Sequence, residues 1–154
     1  MVSYHMRCSY RYMDLFLRTP HYYRSEKEMT DNAYELLKVM GLESRAYSRA
    51  KSLSYGNQRR LEIARALATT PKVLLLDEPA AGLNSREKIL LMNTVSEIRT
   101  RFKVAILLIE HDMKLVMGIC ERITVLDHGE IIAEGRPKEI QENPKVIEAY
   151  LGVG

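Results

Sequence analysis

None of the eight glycines in this 154-residue chain is followed by lysine. The phosphate-cradling pattern G-x-x-x-x-G-K-[ST] is therefore absent, and gripping a nucleotide through such a loop is excluded for these residues. Cysteine is scarce. Cys8 and Cys120 lie far apart, without metal-ligand spacing, and this usage fits a reducing cytosol. Long apolar runs are missing too: the stretch Val104 to Ile109 falls far short of the roughly 18–20 residues of a membrane span. No signal-peptide pattern opens the chain, because Arg7 and Arg11 interrupt any apolar stretch. Internal repeats and low-complexity segments are also absent. These absences lead us to expect a soluble protein whose membrane role, if it has one, goes through a partner.

What is present suffices for one domain. A hydrophobic content of 46% can fill a core. A net charge of +3 with 28% charged residues names no partner.

The chain is organised around the stretch from Leu53 to Asn84. Leu53-Ser54-Tyr55-Gly56 is a turn, and Leu61, Ile63, Ala64 and Leu67 then recur at helical spacing. Ser54 is the expected N-cap, its hydroxyl accepting an orphan N–H. Thr69-Thr70-Pro71 ends this helix, since proline disfavours the helical region for the residue before it. Val73-Leu74-Leu75-Leu76 shows no alternation, which predicts a strand covered on both faces. Asp77 and Glu78 close that strand. Ligands of open α/β sheets gather at the carboxyl ends of strands. An acid pair there can hold Mg²⁺ through one carboxylate, usually by way of water, and polarise an attacking water with the other; alone, such a pair is more often a solvated strand end.

Around this stretch the pattern alternates helix and strand. Ser25 to Glu28 reads as a capping box opening a helix whose apolar face is Met29, Ala33, Leu36, Leu37 and Met40, with Gly41 just past its end. Glu43 to Ser52 is a polar loop. Asn84 and Glu87 form a second capping pair before Leu91, Val95, Ile98 and Phe102. Val104 to Ile109 is another apolar strand, expected to be covered on both faces, and it runs into Glu110-His111-Asp112. A helix over Met113 to Cys120 and a hairpin of Ile123 to Leu126 with Glu130 to Ala133 follow. Asn143-Pro144 starts the last helix. This order predicts α/β with a largely parallel sheet. The basic, tyrosine-rich segment from Met1 to Arg24 has a composition that can bind nucleic acid, but a solvated or partner-facing segment is the favoured reading. His5, His21 and His128 match no motif and read as surface residues.

Together, LSYGNQ, LLLDEP, AGLN and IEHD resemble the ATP-binding cassette (ABC) ATPases. The tyrosine of LSYG, RRLEIARALAT, DEPAAGLN, IEHDMKLVMGIC and IEAYLG are similar to the ATP-binding subunits of bacterial branched-chain amino-acid importers, over nearly the whole chain. The resemblance implies an incomplete P-loop NTPase domain, with residues 1–70 as helical subdomain and signature motif. Residues 71–154 would be the RecA-like portion. It implies ATP and Mg²⁺ as cofactors in a complete subunit, with Asp77 on the Mg²⁺ side, Glu78 as general base and His111 as the switch that senses γ-phosphate. Ser54, Tyr55, Gly56 and Asn57 would reach nucleotide held by a second ATP-binding subunit, in a homo- or heterodimer, with Asn84 along the same interface. Asn57 departs from the glutamine usual in the signature. Transmembrane permease subunits are the other implied partners, at the cytoplasmic face of a bacterial membrane, and no nucleic acid is expected. Met1 to Tyr4 resembles an internal point of such subunits, so the chain is expected to be their carboxyl-terminal portion. Two alternatives stay open: a non-catalytic fragment that binds or regulates a complete subunit, and, least favoured, a nucleic-acid-binding ATPase.

Overall fold

The computed structural model describes residues 19–151. The opening basic segment therefore lies outside the described residues up to position 18, with Cys8 and His5. The chain forms two compact units, one up to Leu108 and one from Ile109.

In the first unit, helix α1 runs Pro20–Val39. It does not start at the expected box of Ser25 and Glu28. Thr19 caps it, the hydroxyl accepting the Tyr22 N–H at 3.4 Å, and Pro20 occupies the first turn, where its missing N–H costs nothing. With a start supplied upstream, Ser25 and Glu28 become interior positions. The other end matches expectation. Gly41 is left-handed at φ 63, and Gly41 and Leu42 N–H groups donate to Lys38 and Leu37 carbonyls at 3.0 and 2.7 Å, a Schellman closure. Met29, Leu36, Val39 and Met40 are buried.

The polar loop holds two short 3-10 turns, Glu43–Arg45 and Ala50–Ser52. Helix α2, Tyr55–Leu67, buries Ile63, Ala64 and Leu67. It closes with Thr70 at φ 48 before Pro71. Strand β1 is Val73–Asp77, helix α3 Ser85–Phe102 and strand β2 Ala105–Ile109. β1 and β2 pair, and the intervening helix makes them a parallel βαβ unit. Helix α3 buries Leu91, Thr94, Val95 and Ile98, with the Thr94 hydroxyl satisfied by the Leu90 carbonyl at 2.8 Å. Phe102 stays exposed.

The sheet departs from expectation. Both strands were expected to be covered on both faces, yet exposure alternates along them. Leu74 and Leu76 are buried, while Val73 and Leu75 are 55% and 70% exposed. The bond from Ala105 N–H to Lys72 C=O at 3.0 Å sets Ala105 beside Val73 and so Leu107 beside Leu75. Leu107 is 58% exposed. One face of β1 is buried and the other is not, although the residue types are apolar on both.

In the second unit, helix α4 is Met113–Ile119 and strands β3, Ile123–Asp127, and β4, Glu130–Gly135, pair antiparallel. Asp127 opposes Glu130, and His128 and Gly129 take φ 47 and 84, the two left-handed residues of a type I′ hairpin. Helix α5, Pro137–Gln141, was not anticipated. Pro137 starts it and Glu139 accepts the Arg136 N–H at 2.7 Å. The short helix α6, Pro144–Val146, is capped by Asn143 as expected, its side chain accepting from Lys145 N–H at 3.0 Å. Val116, Ile123, Val125, Ala133, Ile140 and Val146 form this unit's core.

Exposed apolar strands invite pairing with other chains, so the 154-residue chain is expected to self-associate in solution. A Leu75→Lys, Leu107→Glu double variant should move the sedimentation profile toward monomer. A wild-type chain that sediments as a single monomeric species at tens of micromolar would contradict this.

Candidate functional site

Helix α2 begins where LSYG placed it. Ser54 holds the N-cap position with extended backbone, but its hydroxyl makes no capping bond; only its carbonyl takes part, accepting Gln58 N–H at 2.9 Å. The expected side-chain cap is thus not made, and Ser54 stays exposed. Tyr55 is exposed and engaged with Arg59, whose Nε and Nη2 donate to the phenol oxygen at 3.1 and 2.8 Å. Arg59 Nη1 also donates to Glu62 Oε2 at 3.0 Å. The Glu62 bond, then the Tyr55 bond, hold the Arg59 guanidinium above its ordinary value.

Asn57 turns inward. Its Oδ1 accepts from Arg60 Nη2, and Arg60 Nη1 donates to the Met40 carbonyl at 2.8 Å. Burial pulls Arg60 below its ordinary value, against the opposing charge of Glu87. The shorter amide at position 57 therefore has a partner within the chain, pinning α2 to the end of α1.

Asp77 and Glu78 emerge at the carboxyl end of β1, both exposed. Glu78 sits at φ 42. A non-glycine residue held in the left-handed region costs on the order of 1–3 kcal/mol and is found where the surrounding structure imposes it. Pro79 and Ala80 are buried just after it. Ala81 N–H then donates to the Glu78 carbonyl at 3.1 Å and Leu83 N–H to the Ala80 carbonyl at 3.2 Å. This tight turn leads through Gly82, at φ 73, to Asn84. A shallow groove of about 180 Å³, lined by Arg59, Glu62, Ile63, Leu75 and Asp77 among others, runs between α2 and β1.

The two turns meet. A Cβ on Gly82 would lie 3.2 Å from Tyr55 Cε1, so the tyrosine ring rests on the turn that follows the acid pair. Asn84 and Glu87 form the expected reciprocal cap: Glu87 N–H to Asn84 Oδ1 at 3.0 Å and Asn84 N–H to Glu87 Oε2 at 3.1 Å. The other carboxylate oxygen, Glu87 Oε1, lies 2.7 Å from where a Gly56 Cβ would stand. Tyr55, Gly56, Gly82, Asn84 and Glu87 are thus one cluster in the first unit. His111 belongs to the second unit, exposed, one residue before Asp112, which caps α4 by accepting Leu115 N–H at 3.3 Å. Glu87 is legible in the sequence as a cap, but nothing in the sequence signals its contact with Gly56, since the residues are distant along the chain. The left-handed backbone of Glu78 has no signal in the sequence either.

The ABC transporter family matches residues 3–81. This chain belongs to that family. A second family, described as branched-chain amino acid ATP-binding cassette transporter, matches residues 130–154. Among curated relatives, the chain is 47% identical over 99% of its length to the high-affinity branched-chain amino acid transport ATP-binding protein LivG of Escherichia coli K12. It is 44% identical, over the same share, to BraF of Pseudomonas aeruginosa. The chain spans 60% of the length of each of these relatives. Among solved structures, it superposes on MJ1267, an ATP-binding cassette of an ABC transporter in its ADP conformation. The TM-score is 0.73 at 35% identity, over 81% of this chain and 50% of that one. A nucleotide-free ATP-binding cassette gives 0.72 at 32%, over 92% and 56%.

The donor set bears on both implied cofactors. Among the described residues no group of three or more His, Cys, Asp or Glu side chains could hold a metal ion. One exposed carboxylate, Asp77, fits Mg²⁺ held mostly by water and phosphate oxygens, which is that ion's habit. For ATP, the present residues supply acids and an exposed turn, but no lysine-bearing phosphate loop.

The cluster makes a stability prediction. Asn84→Ala should cost about 0.5–2 kcal/mol by loss of the cap. Gly82→Ala should cost at least as much, since it adds a Cβ at positive φ, a penalty of roughly 1–2 kcal/mol, against the Tyr55 ring. Ser85→Ala, as a surface control, should stay within about 0.5 kcal/mol. Chemical denaturation of the three variants is the measurement, and a Gly82→Ala variant as stable as the control would contradict the assigned turn.

Proposed function

We propose that this chain is the later portion of an ATP-binding subunit of a branched-chain amino-acid importer. One observation carries the reading: the acid pair Asp77-Glu78 closes a strand with Glu78 in a left-handed backbone, and the turn beyond it is packed on the LSYG turn. The likeness to LivG and BraF supports the transported class. In this reading residues 1–70 carry the signature and residues 71–154 the acids and the switch histidine. The work is divided by chemistry. Asp77 would hold Mg²⁺ by way of water, and the ion would neutralise phosphate charge. Glu78 takes the proton of the attacking water, and His111 meets the terminal phosphate. Ser54 and Tyr55 present an exposed helix start, backed by the buried Gly56, where the dipole favours an anion, to nucleotide held by a second ATP-binding subunit; Asn57 supports that turn from inside, and Asn84 lies on the same interface. Permease subunits in the membrane receive the resulting motion, and the chain works at the cytoplasmic face. No helix in the described residues is long and apolar enough to cross a membrane.

The test is a chimera in which this chain is joined to the part of LivG that it does not match. Positioned general bases contribute about 10²–10⁴-fold, so Glu78→Gln in the chimera should keep ATP binding and lose turnover by about that factor. Unchanged steady-state hydrolysis would move the role of base elsewhere.

The chain by itself is expected not to bind Mg-ATP measurably. Charge-assisted bonds are worth roughly 1.5–3 kcal/mol each, and a phosphate loop supplies several. Micromolar to millimolar affinity totals only about 4–8 kcal/mol. Losing three such bonds removes most of that. Calorimetry on the 154-residue chain decides it, and micromolar binding would contradict the expectation.

A further inference from the structure

We propose that Glu87 is a positioning residue that locks the first turn of α2 to the turn at Asn84, and that position 56 is glycine to admit its carboxylate. Three observations carry this. Glu87 uses its two oxygens in two places: Oε2 accepts the Asn84 N–H at 3.1 Å, and Oε1 lies 2.7 Å from the Cβ position of Gly56. Gly56 itself is buried, so its missing side chain opens onto Glu87. A second contact lies alongside, Tyr55 on Gly82. The first turns of α2 and α3 therefore move as one piece, and that piece continues back through the tight turn to Glu78.

A glycine in a phosphate-facing turn is ordinarily read as leaving room for a ligand. Here the room is filled from within the chain. A Cβ at under 3 Å from a carboxylate oxygen is not tolerated without movement. That oxygen is at the end of a flexible side chain whose other oxygen is engaged, so moving it aside pulls on the cap at Asn84. This makes the effect of one site depend on the other. The functional consequence rests on the reading of Ser54 to Asn57 as the nucleotide-facing turn of an ATP-binding subunit. A displacement of that turn by nucleotide is carried by Glu87 to Asn84, and by Tyr55 to the backbone that follows the proposed base. Glu87 touches no reacting atom in this scheme.

The experiment is a double-mutant cycle on the 154-residue chain, without nucleotide, using Gly56→Ala and Glu87→Ala. Alone, Gly56→Ala is expected to lower the unfolding midpoint, against the general preference for alanine over glycine in a helix. In the Glu87→Ala background the same change is expected to raise the midpoint. Equal lowering in both backgrounds overturns the proposal. Residue-resolved amide exchange provides a reading that does not need a cooperative transition. Glu87→Ala should speed exchange at Gln58 to Leu61 by about tenfold, the size of a lost cap. Glu87→Gln, which keeps the shape, should restore slow exchange. Asn84→Ala removes only the side-chain half of the cap and leaves the Glu87 carboxylate on the residue-84 N–H and on Gly56, so it should speed exchange in α3 and spare α2; equal acceleration of α2 by both variants assigns the effect to fraying of α3 and overturns the proposal. Val125 and Ala133 amides in the other unit serve as internal reference. If they lose protection in Glu87→Ala, Glu87→Asp takes its place, because its carboxylate falls one methylene short of Gly56, and the same outcomes apply. Failure of the cycle overturns the lock and leaves the importer reading standing. Failure of the chimera overturns that reading and leaves the lock standing.

Discussion

The close approach of two helix starts governs the first unit. The α2 start carries an exposed tyrosine and a buried glycine, and the α3 start carries a reciprocal cap. They come together because Gly56 and Gly82 have no side chains at the points where Glu87 and Tyr55 press in. A Cβ at either place would crowd the side chain that fills it, Glu87 at position 56 and Tyr55 at position 82. The backbone of Glu78 depends on that segment, since a left-handed glutamate holds only while the residues after it are held. Buried Ala80 and the carbonyl bonds of the turn provide that restraint.

A second constraint is the sheet. β1 and β2 are built from residues that are apolar on both faces, and in β1 only Leu74 and Leu76 are buried. The uncovered side leaves Val73, Leu75 and Leu107 in water. Burying apolar area is worth roughly 25 cal/mol per Å², so this face is a standing drive toward association.

Polar side chains around the site serve the fold and the surface unequally. Arg60 is committed inward, to Met40 and Asn57, and holds the helical elements together. Arg59 is committed outward, to Tyr55 and Glu62, at the rim of the groove that Asp77 also lines. Adjacent in sequence, the two arginines point apart because α2 turns by about 100° per residue.

The sequence by itself determined the elements and the order of the motifs. Gly41 after α1, the Asn84–Glu87 pair, the His128-Gly129 hairpin and Asn143-Pro144 are local devices, each complete within a few residues, and each is found as its residue types require. The acid pair at the end of an apolar strand was legible for the same reason, and the family with it. Local signals misled where a competing local signal lay nearby: Thr19-Pro20 starts α1 ahead of Ser25, and Ser54 takes the cap position without its hydroxyl bond. Tertiary structure alone decided which face of β1 is covered, because a run of four apolar residues reads the same whether one layer packs on it or two. It alone decided that Gly56 faces Glu87 and that Asn57 faces Arg60, since a missing side chain or a shorter amide acquires meaning only from what folds against it. The left-handed backbone of Glu78 belongs here too. No residue type at that position announces it; the turn that follows imposes it.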